Sequence, residues 1–467
     1  MKYLQKEIIV PAWVSCHTYF FGEEESRTYI SNEKNHKYVL LEGLASDMYK
    51  LLLDGISNED FDKWANKNGV SEQVDAFIND LLEQELVSAY GREKENSNFY
   101  EPFNEDEKSN KEAEFIEEME KWFFEKKLMF SLFFELTYRC NLKCVHCYNP
   151  KDMSNIEIDF ETCKKAIDDA YASGCFRITF SGGEATLHSR FLELVKYARS
   201  KRISVEIFTN GQTFAESDKI YREVLEQYPY RICVSLYSTD KKMHERVTAV
   251  NGSFEKTYGL IVRLRKDNVN VQIKNFLLNF NCKDCINVKK MAQDIGANSV
   301  ADISLIPTIQ GDKKTMQYVL DEDELFNLFV NQESPFYVGG KEPRFDYEKI
   351  KDESPCFGGF SGLCITPNAE VVICVSLPLS VGNLNDISLK EIWRFAMNKN
   401  PSSKLYQWQK VCIKDCKECY KEDYCAFCNY CPGMGFLENG YLKHSDVLCA
   451  QAKAKKKAYQ YIKEKEK

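Results

Sequence analysis

Short apolar runs alternate with amphipathic stretches through the middle of this chain. Between Met129 and about Pro307 six apolar runs have the character of strands, and stretches of helical periodicity separate them. The predicted strands are Phe130–Leu136, Arg177–Phe180, Ser204–Phe208, Arg231–Leu236, Asn270–Leu277 and Ser299–Ile306. Strands that alternate with helices in this way indicate parallel βα units. We therefore predict an α/β fold, a partial (β/α)6 barrel over residues 126–340.

A different pattern occupies the chain up to about Tyr90. Short strand-like runs come first, at Glu7–Val10, Thr18–Phe21, Thr28–Ile30 and Lys37–Leu41. Three helical patterns follow, carried by Leu44, Met48, Leu51 and Leu52, then Phe61 and Trp64, then Val74, Phe77, Ile78, Leu81 and Leu82. Small strands followed by three helices predict a winged-helix-like α+β domain over residues 1–92.

Charge and composition limit the possible partners. Residues 93–125 are acidic and polar, which predicts a solvated linker with a helix near Phe115–Phe124. The whole chain has a formal net charge of −9, and the part up to Tyr90 has 8 Lys and Arg against 16 Asp and Glu, so nucleic acid is not expected as a partner. No apolar run approaches the roughly 20 residues that cross a bilayer. No signal peptide is evident, and we expect a cytoplasmic protein.

Three cysteines follow the first predicted barrel strand, with the spacing Cys-x3-Cys-x2-Cys. They are Cys140, Cys144 and Cys147. A [4Fe-4S] cluster usually takes four thiolates, so three would leave one iron open to a substrate or cofactor. A zinc site with His146 as fourth ligand is one alternative. A disulfide framework is another, although 19 cysteines in 467 residues are few for such a scaffold.

The cysteine loop resembles that of the radical S-adenosylmethionine (SAM) superfamily, Cys-x3-Cys-x-aromatic-Cys, with His146 at the aromatic position. The resemblance implies that the open iron chelates the amino and carboxylate groups of SAM. One electron from the cluster then cleaves SAM to methionine and a 5′-deoxyadenosyl radical, which abstracts hydrogen. His146 is accordingly expected at the cofactor. The remaining central histidines, His188 and His244, are expected on helix surfaces without a catalytic role.

Further motifs of the central block support this resemblance. Ser181-Gly182-Gly183-Glu184, after the second strand, is similar to the family's Gly-Gly-Glu motif. The similarity implies that Gly182, Gly183 and Glu184 bind the amino group of SAM. Asn210 and Ser235, near the ends of the third and fourth strands, resemble the ribose and carboxylate contacts, although both residue types also cap helices.

Cysteines become dense in residues 341–467, where ten of the nineteen lie between Cys356 and Cys449. The block resembles the SPASM extension of radical SAM enzymes, which carries two auxiliary [4Fe-4S] clusters. Ala369 replaces its turn glycine. The resemblance implies one auxiliary cluster on Cys416, Cys419, Cys425 and Cys449. It implies another on Cys356, Cys374 and either Cys428 or Cys431, with the role of Cys364 open, and zinc ribbons remain an alternative.

The N-terminal block resembles the recognition element of enzymes that modify ribosomally made peptides. There a leader segment adds as a strand to an exposed sheet edge, here Lys37–Leu41, against the third helix, Val74–Leu82. Together the three blocks resemble a radical SAM peptide maturase served by a flavodoxin- or ferredoxin-type electron donor. The favoured reaction is a thioether crosslink.

Several alternatives remain open at the level of sequence. They are a carbon–carbon or carbon–oxygen crosslink, oxidation of Cys or Ser in a sulfatase, and a non-catalytic zinc-binding regulator. The sequence names no catalytic base.

Overall fold

The structure is a computed structural model that describes residues 8–21, 25–89, 100, 105–150, 153, 155–339, 351–416 and 422–466. The strands are β1 (Ile8–Ile9), β2 (Val14–Phe21), β3 (Glu25–Asn32), β4 (Lys37–Glu42), β5 (Ser88–Ala89), β6 (Ser131–Glu135), β7 (Arg177–Ser181), β8 (Ser204–Thr209), β9 (Arg231–Ser235), β10 (Val271–Phe276), β11 (Asn298–Asp302), β12 (Gly362–Ile365), β13 (Glu370–Cys374) and β14 (Leu377–Asn383).

The helices are α1 (Leu44–Leu53), α2 (Asn58–Lys67), α3 (Val74–Glu83), α4 (Glu105–Lys126), α5 (Phe160–Ala172), α6 (Phe191–Ser200), α7 (Gln212–Glu216), α8 (Asp218–Leu225), α9 (Lys241–Thr248), α10 (Ser253–Lys266), α11 (Cys285–Asp294), α12 (Glu322–Val330), α13 (Leu389–Met397), α14 (Lys404–Gln409), α15 (Pro432–Asn439) and α16 (Asp446–Lys465). None of the described helices is long and apolar enough to span a membrane.

A nine-stranded sheet forms the centre of the molecule, in the order β11-β10-β9-β8-β7-β6-β12-β13-β14. Strands β6 to β11 are parallel neighbours, and helices connect them, so the predicted barrel of six βα units is confirmed. The last strand is shorter than predicted. It ends at Asp302 rather than Ile306, because the Asp302 carboxylate accepts the Ser304 amide at 2.7 Å and turns the chain away.

The cysteine-rich block continues the same sheet. Strand β12 pairs in parallel with β6, and β13 and β14 add as antiparallel neighbours. Its hairpin therefore lies edge to edge with the first barrel strand. This pairing brings the two cysteine-bearing regions of the sequence into one structural unit.

The N-terminal unit, residues 8–89, has a three-stranded antiparallel sheet in the order β2-β3-β4 and a short β1–β5 pair. Helices α1 to α3 cover the sheet around a core that includes Ile30, Tyr49, Phe61 and Ile78. The element order agrees with the sequence pattern. The strands β2 and β3 are longer than the predicted runs because their polar positions continue the same ladder.

Helix α4 differs from the predicted solvated linker. It spans 22 residues, and Met119 and Phe123 are buried against Tyr19 and Tyr29 of the N-terminal sheet. The predicted helix near Phe115–Phe124 is confirmed as part of α4, whereas the prediction that this segment is a solvated spacer is wrong. Residues 93–99 and 101–104 of the predicted linker lie outside the described residues.

The N-terminal unit packs on the end of the barrel where the strands begin. The Cys16 amide donates to the carbonyl of Arg202, just before β8, at 3.0 Å. The Arg199 guanidinium donates to Ser15 and to the Ala12 carbonyl. Arg177, the first residue of β7, donates to the Tyr38 hydroxyl at 3.1 Å. These buried polar contacts fix the unit opposite the end where the parallel strands finish.

Candidate active site

The three cysteines of the first motif lie on the loop that leaves β6, at the end of the sheet where βα barrels carry their chemistry. Two backbone bonds hold this loop against the end of α9. The Lys143 amide donates to Thr248 at 3.0 Å, and the Val145 amide donates to Val247 at 2.9 Å. The Cys140 side chain is exposed, and Cys144 and Cys147 are half-buried. The loop is thus anchored and open on one side.

The Cys140 and Cys144 thiols are weaker acids than an ordinary cysteine thiol. Although the Cys140 residue is exposed on one side, the protein around its sulfur displaces water and raises the pKa of Cys140 to about 11; burial raises that of Cys144 still further, and charge on the neighbouring cysteines adds to both effects. Iron–sulfur clusters need thiolates, and their iron supplies the positive charge that stabilises them. Three thiols on one anchored loop with one exposed member fit a [4Fe-4S] cluster that keeps an open iron.

The Gly182–Gly183 turn packs directly on the cysteine loop. A Cβ on Gly182 would lie 2.4 Å from the Thr137 carbonyl oxygen, and one on Gly183 would lie 2.4 Å from that of Arg139. The Gly183 amide donates to Thr137 at 2.7 Å. The sequence predicted that these glycines admit a ligand. In the structure, their first role is to admit the backbone of the cysteine loop.

Glu184 is buried, and its carboxylate is held by the protein itself. One oxygen accepts from the hydroxyls of Thr186 at 2.7 Å and Thr209 at 2.9 Å. The other accepts from the Asn210 amide at 2.7 Å. Glu184 therefore ties the end of β8 to the Gly-Gly turn. The predicted contact of Glu184 with the amino group of SAM stays a prediction.

Asn210 and Ser235 occupy neighbouring positions of the site. The Asn210 side-chain amide donates to Asn141 at 2.7 Å, within the cysteine loop, and lies 3.6 Å from the Cys140 sulfur. Ser235 ends β9 beside the Tyr237 hydroxyl, which lies 3.9 Å from the Cys144 sulfur. The structure thus brings Asn210 into direct contact with the cysteine loop and links Ser235 to the loop through Tyr237.

His146 takes the place of the family's aromatic residue and behaves as a neutral ring. It stacks in parallel on Phe276, with centroids 5.1 Å apart, and meets Tyr237 edge-on at 5.0 Å. Burial lowers the pKa of His146 to about 4, and its Nδ1 is buried without a hydrogen-bond partner. A neutral, stacked imidazole supplies the flat apolar surface that an aromatic side chain would provide.

His188 and His244 correct a prediction. Both were expected on helix surfaces, yet both are buried. The His188 Nε2 lies 2.8 Å from the Ile158 carbonyl oxygen, and His244 Nδ1 accepts the Tyr237 amide at 3.3 Å. Each histidine satisfies a backbone group near the site, which explains why an imidazole is stable there.

The lumen is the face of the barrel sheet that points away from the covering helices. Phe133 of β6 and Phe208 of β8 meet on this face with centroids 5.8 Å apart, and the Lys274 ammonium lies 5.1 Å from the Phe208 ring. Leu132 and Phe134 point the other way, into the helix-covered core. Strand alternation therefore places Glu135 on the lumen face.

Among the charged residues of the lumen that the sequence analysis did not single out, two lie beside predicted site residues. They are Lys274, in register with Ser235, and Glu135, in register with Ser181. Neither residue belongs to a recognisable sequence motif. The sequence signal that could have identified them is a charged residue within a strand whose alternate positions are apolar.

Among the C-terminal cysteines, Cys356, Cys374 and Cys431 lie together; we call them the inner group. Burial raises the pKa of Cys356 to about 11, and Cys374, Cys431 and Cys416 raise it further. A backbone contact fixes this arrangement. Gly433, at the start of α15, packs on Ser376 so closely that a Cβ would lie 2.3 Å from its carbonyl oxygen.

Cys425, Cys428 and Cys449 form a second set, the outer group. Burial raises the pKa of Cys428 to about 12, with added repulsion from Cys449 and Cys425. Helix α16, which carries Cys449, packs on the 3-10 helix Asp423–Phe427 that carries Cys425. The Phe427 and Tyr459 rings lie 5.4 Å apart, and Lys456 pairs with Asp423.

The remaining C-terminal cysteines are placed as follows. Cys416 is buried near Cys412 and the Tyr430 hydroxyl, and Cys364 is buried on β12 near Cys374. Cys419, predicted as a cluster ligand, lies outside the described residues.

Among the described residues, no three His, Cys, Asp or Glu side chains converge closely enough to bind one metal ion. A [4Fe-4S] cluster binds each thiolate through a different iron, so its ligands lie farther apart than those of one zinc ion. The described cysteines therefore form no preassembled tetrahedral zinc site.

A cavity of about 280 Å³ connects the lumen with the inner group. Its walls include Phe133 of β6, Gly358, and both Cys364 and Cys374 of the hairpin. Most of its lining is apolar. Of the inner group, Cys374 borders this cavity, beside Phe133 on the lumen face of β6.

Two family models match the chain, one over each of the two cysteine-bearing regions. The model of the radical SAM superfamily matches residues 134–283, and that of the SPASM iron-sulfur cluster-binding domain matches residues 356–432. The first match runs from Phe134, inside β6, past the end of β10 and includes the cysteine loop. The second covers the inner group and two members of the outer group.

Similar proteins include the antilisterial bacteriocin subtilosin biosynthesis protein AlbA of Bacillus subtilis. It is 29% identical over 337 residues, which cover 68% of this chain and 70% of AlbA. The AdoMet-dependent heme synthase of Methanosarcina barkeri is 24% identical, over 69% of this chain and 96% of the synthase.

Among solved structures, Streptococcus suis SuiB bound to its precursor peptide SuiA shares the fold. The TM-score is 0.53 at 13% identity, over 94% of this chain and 99% of SuiB. The cysteine loop, the sheet that carries it and both family matches agree: the chain has a radical SAM domain and a SPASM iron-sulfur cluster-binding domain, and it uses SAM and [4Fe-4S] clusters as cofactors.

Proposed function

We propose that this enzyme modifies a ribosomally made precursor peptide. The observation that carries the proposal is an N-terminal α+β unit with an outer strand, β4, fixed to a radical SAM barrel. The other outer strand, β2, is engaged by the barrel through the bond from Cys16 to Arg202. Strand β4 is thus the edge to which a peptide strand would add.

The relatives support a peptide rather than a porphyrin substrate. The heme synthase is matched over 96% of its length by 69% of this chain, which leaves almost a third of the chain without a counterpart there. SuiB, solved with a precursor peptide, is matched over 94% of this chain, so too few residues remain for the N-terminal unit to lie outside the match. AlbA is named for bacteriocin biosynthesis.

We assign residues 1–92 to leader recognition. The side chains of β4 stabilise it from both faces, since Val39 and Leu41 pack on the α1–α3 core and Tyr38 and Leu40 pack near α4. The leader would lie along β4 toward α3. In the reducing cytoplasm, a flavodoxin- or ferredoxin-type protein would supply the electrons.

Residues 140–147 would hold the SAM-binding cluster, and the turn at Gly182–Glu184, with Asn210, Ser235 and His146, would hold SAM. When bound, this pair supplies a 5′-deoxyadenosyl radical that abstracts a hydrogen atom. For the finer reaction we favour a thioether crosslink between a peptide Cys sulfur and a carbon. The cavity beside Cys374 supports this choice, because it gives a peptide side chain access to the inner group.

We assign Cys431, rather than Cys428, to the auxiliary cluster of Cys356 and Cys374, and Cys428 to the neighbourhood of Cys425 and Cys449. Double variants test this in a chain without Cys140, Cys144 and Cys147. Two auxiliary clusters bind about eight irons. Cys356→Ala with Cys431→Ala should leave about four, whereas Cys356→Ala with Cys428→Ala should perturb both clusters. The reverse pattern contradicts the assignment.

The function is tested by anaerobic incubation of the reconstituted enzyme with SAM, a reductant and the candidate precursor. We expect a peptide that is lighter by two hydrogens per crosslink and has fewer thiols open to alkylation. A variant that lacks Cys140, Cys144 and Cys147 is the control. An unchanged peptide mass contradicts the peptide function. A lighter peptide that keeps all its thiols contradicts only the thioether and favours a carbon–carbon or carbon–oxygen bond.

A further inference from the structure

Glu135 lies between the two halves of the proposed reaction site. It ends β6 and is in register with Ser181, the residue before the Gly182–Gly183 turn. On the other side of β6, Cys364 of β12 is in register with Phe133, on the same lumen face as Glu135. The carboxyl therefore stands between the predicted SAM site and the SPASM hairpin.

The surroundings of Glu135 lack a compensating charge. The side chain is only 2% exposed, and the Tyr148 hydroxyl donates to its Oε1 at 2.9 Å. Burial raises the pKa of Glu135 to about 7, against the smaller opposing effect of that hydrogen bond. Among the described residues, no positively charged side chain contributes to this pKa. A buried carboxyl without a cation is a stronger base than an exposed one.

Glu206, another carboxylate on the lumen face, differs from Glu135 because it is paired with a cation. Glu206 accepts a hydrogen bond from Arg231 Nε at 2.7 Å and another from Thr179 at 3.1 Å. Burial acts to raise the pKa of Glu206, but Arg231 and Arg177 outweigh it and hold the pKa below its usual value. Glu206 is thus a paired structural anion. Glu135 is the lumen carboxyl whose proton is exchangeable near neutral pH.

The other titratable groups that face Glu135 do not change charge near neutrality. They are Tyr138 and Tyr148 from the cysteine loop and Cys364 from β12. Burial raises the pKa of all three, so phenols and thiol stay protonated. A change of charge in this cluster near pH 7 therefore belongs to Glu135.

We propose that Glu135 is the proton acceptor for the peptide group that forms the crosslink. The inference rests on the proposed peptide function. A Cys sulfur that bonds to carbon must lose its proton: the S–H bond breaks, its electron pair stays on sulfur, and the proton moves to a Glu135 carboxylate oxygen. The carboxyl lies on the same lumen face of β6 as Phe133, and Phe133 lines the cavity that also borders Cys374. General bases work best when their pKa lies near the working pH.

The test compares the reconstituted wild-type enzyme with Glu135→Gln, which keeps the shape of the side chain but cannot accept a proton. Crosslinking should fall at least about 100-fold. Formation of 5′-deoxyadenosine, iron content and peptide affinity should remain near wild type. The wild-type rate should fall as the pH drops through about 7, since the acceptor becomes protonated, and Glu135→Asp should recover part of the rate.

Tyr148→Phe is the matched control because it removes the hydrogen bond but keeps the carboxyl. The loss of that bond should raise the pKa of Glu135, so the acid limb of the rate profile should move to higher pH while the plateau remains. Infrared difference spectra of the peptide-free protein should show a carboxyl that titrates near pH 7 and is absent in Glu135→Gln. This measurement does not depend on turnover.

Several results would overturn the inference. One is wild-type crosslinking by Glu135→Gln with an unchanged pH profile. Another is equal loss of crosslinking, SAM cleavage and iron, which would make Glu135 a purely structural residue. A third is a carboxyl that shows no titration near pH 7. A wild-type enzyme that modifies no peptide would instead refute the proposed function, and the inference with it.

Discussion

Ala369 holds a backbone conformation that disfavours a side chain. It lies in the turn between β12 and β13 with φ 61°, and its amide donates to the Thr366 carbonyl at 2.9 Å. The left-handed region costs a non-glycine residue about 1–2 kcal/mol, partly offset by the entropy of glycine in the unfolded chain. We expect Ala369→Gly to raise the free energy of unfolding by about 0.5–1 kcal/mol.

Chemical denaturation measures this effect. Ala76→Gly, at an exposed position of α3, is the control and should destabilise the chain by about 1 kcal/mol. If both substitutions destabilise equally, the turn at Ala369 carries no backbone strain.

His244 should make stability depend on pH. Burial lowers its pKa from 6.5 to about 4, so the unfolded chain takes up a proton at a higher pH than the folded one. The stabilising effect is therefore present above pH 6.5 and is lost as the pH falls toward 4. Between pH 7 and pH 5 the loss is about 2 kcal/mol.

His244→Asn tests this, because its side-chain oxygen still offers an acceptor to the Tyr237 amide. We expect a flatter dependence of unfolding free energy on pH, whatever the absolute stability. The difference from wild type isolates His244 from His17, whose pKa burial also lowers to about 4. Parallel curves for the two proteins would refute the prediction.

At the scale of single residues, the sequence predicted those site residues that belong to a motif of fixed spacing. Cys140, Cys144 and Cys147 are recognisable because a cluster fixes the distances between its ligands along one loop. Glu135 is not, because its importance comes from the absence of a nearby cation, which depends on strands distant in sequence. The proposed choice of Cys431 over Cys428 also needed the structure, since the packing of Gly433 on Ser376, which supports it, links segments distant in sequence.

At the scale of elements, the Gly-Gly turn and the cysteine loop form one packed unit. Gly183→Ala would place a Cβ 2.4 Å from the Arg139 carbonyl oxygen, a backbone atom that cannot rotate away. We expect the loop to shift and the SAM-binding cluster to load poorly. Iron content and the visible absorption of the reconstituted protein measure this.

Gly259→Ala is the matched control for that experiment. Gly259 lies in α10, and a Cβ there would meet nothing within 4 Å. The control should load iron normally and gain about 1 kcal/mol of stability. Full iron loading in Gly183→Ala would show that the turn does not support the loop.

Helix α4 is buried more deeply than its acidic composition indicates. Its acidic residues predicted a spacer, but Phe115, Met119, Trp122 and Phe123 recur at helical spacing and pack on Tyr29 and its neighbours. The six parallel strands were predictable because each is a short apolar run. The end of β11 was not, because a single side chain, Asp302, turns the chain.

At the scale of the whole molecule, polar contacts hold the N-terminal unit in a fixed position on the barrel. Arg199 is buried and donates to Ser15 and the Ala12 carbonyl, while Arg177 contacts Tyr38 of β4. Breaking such buried contacts leaves unpaired polar groups, which is costly. The unit is therefore a fixed part of the barrel surface. No sequence pattern predicted this, because the partners lie far apart in the chain.

If a precursor leader binds β4 as proposed, the docking of the N-terminal unit sets a minimum length for the substrate. Tyr38 of β4 touches the start of β7, whereas the cysteine loop lies where β6 ends. A five-residue strand is about 15 Å long, and an extended peptide needs at least about five residues to cover that distance. A precursor held on β4 must therefore carry a spacer of this length before its first modified residue. Precursors with shorter spacers should bind with full affinity yet stay unmodified, and modification without any spacer would show that the leader is held elsewhere.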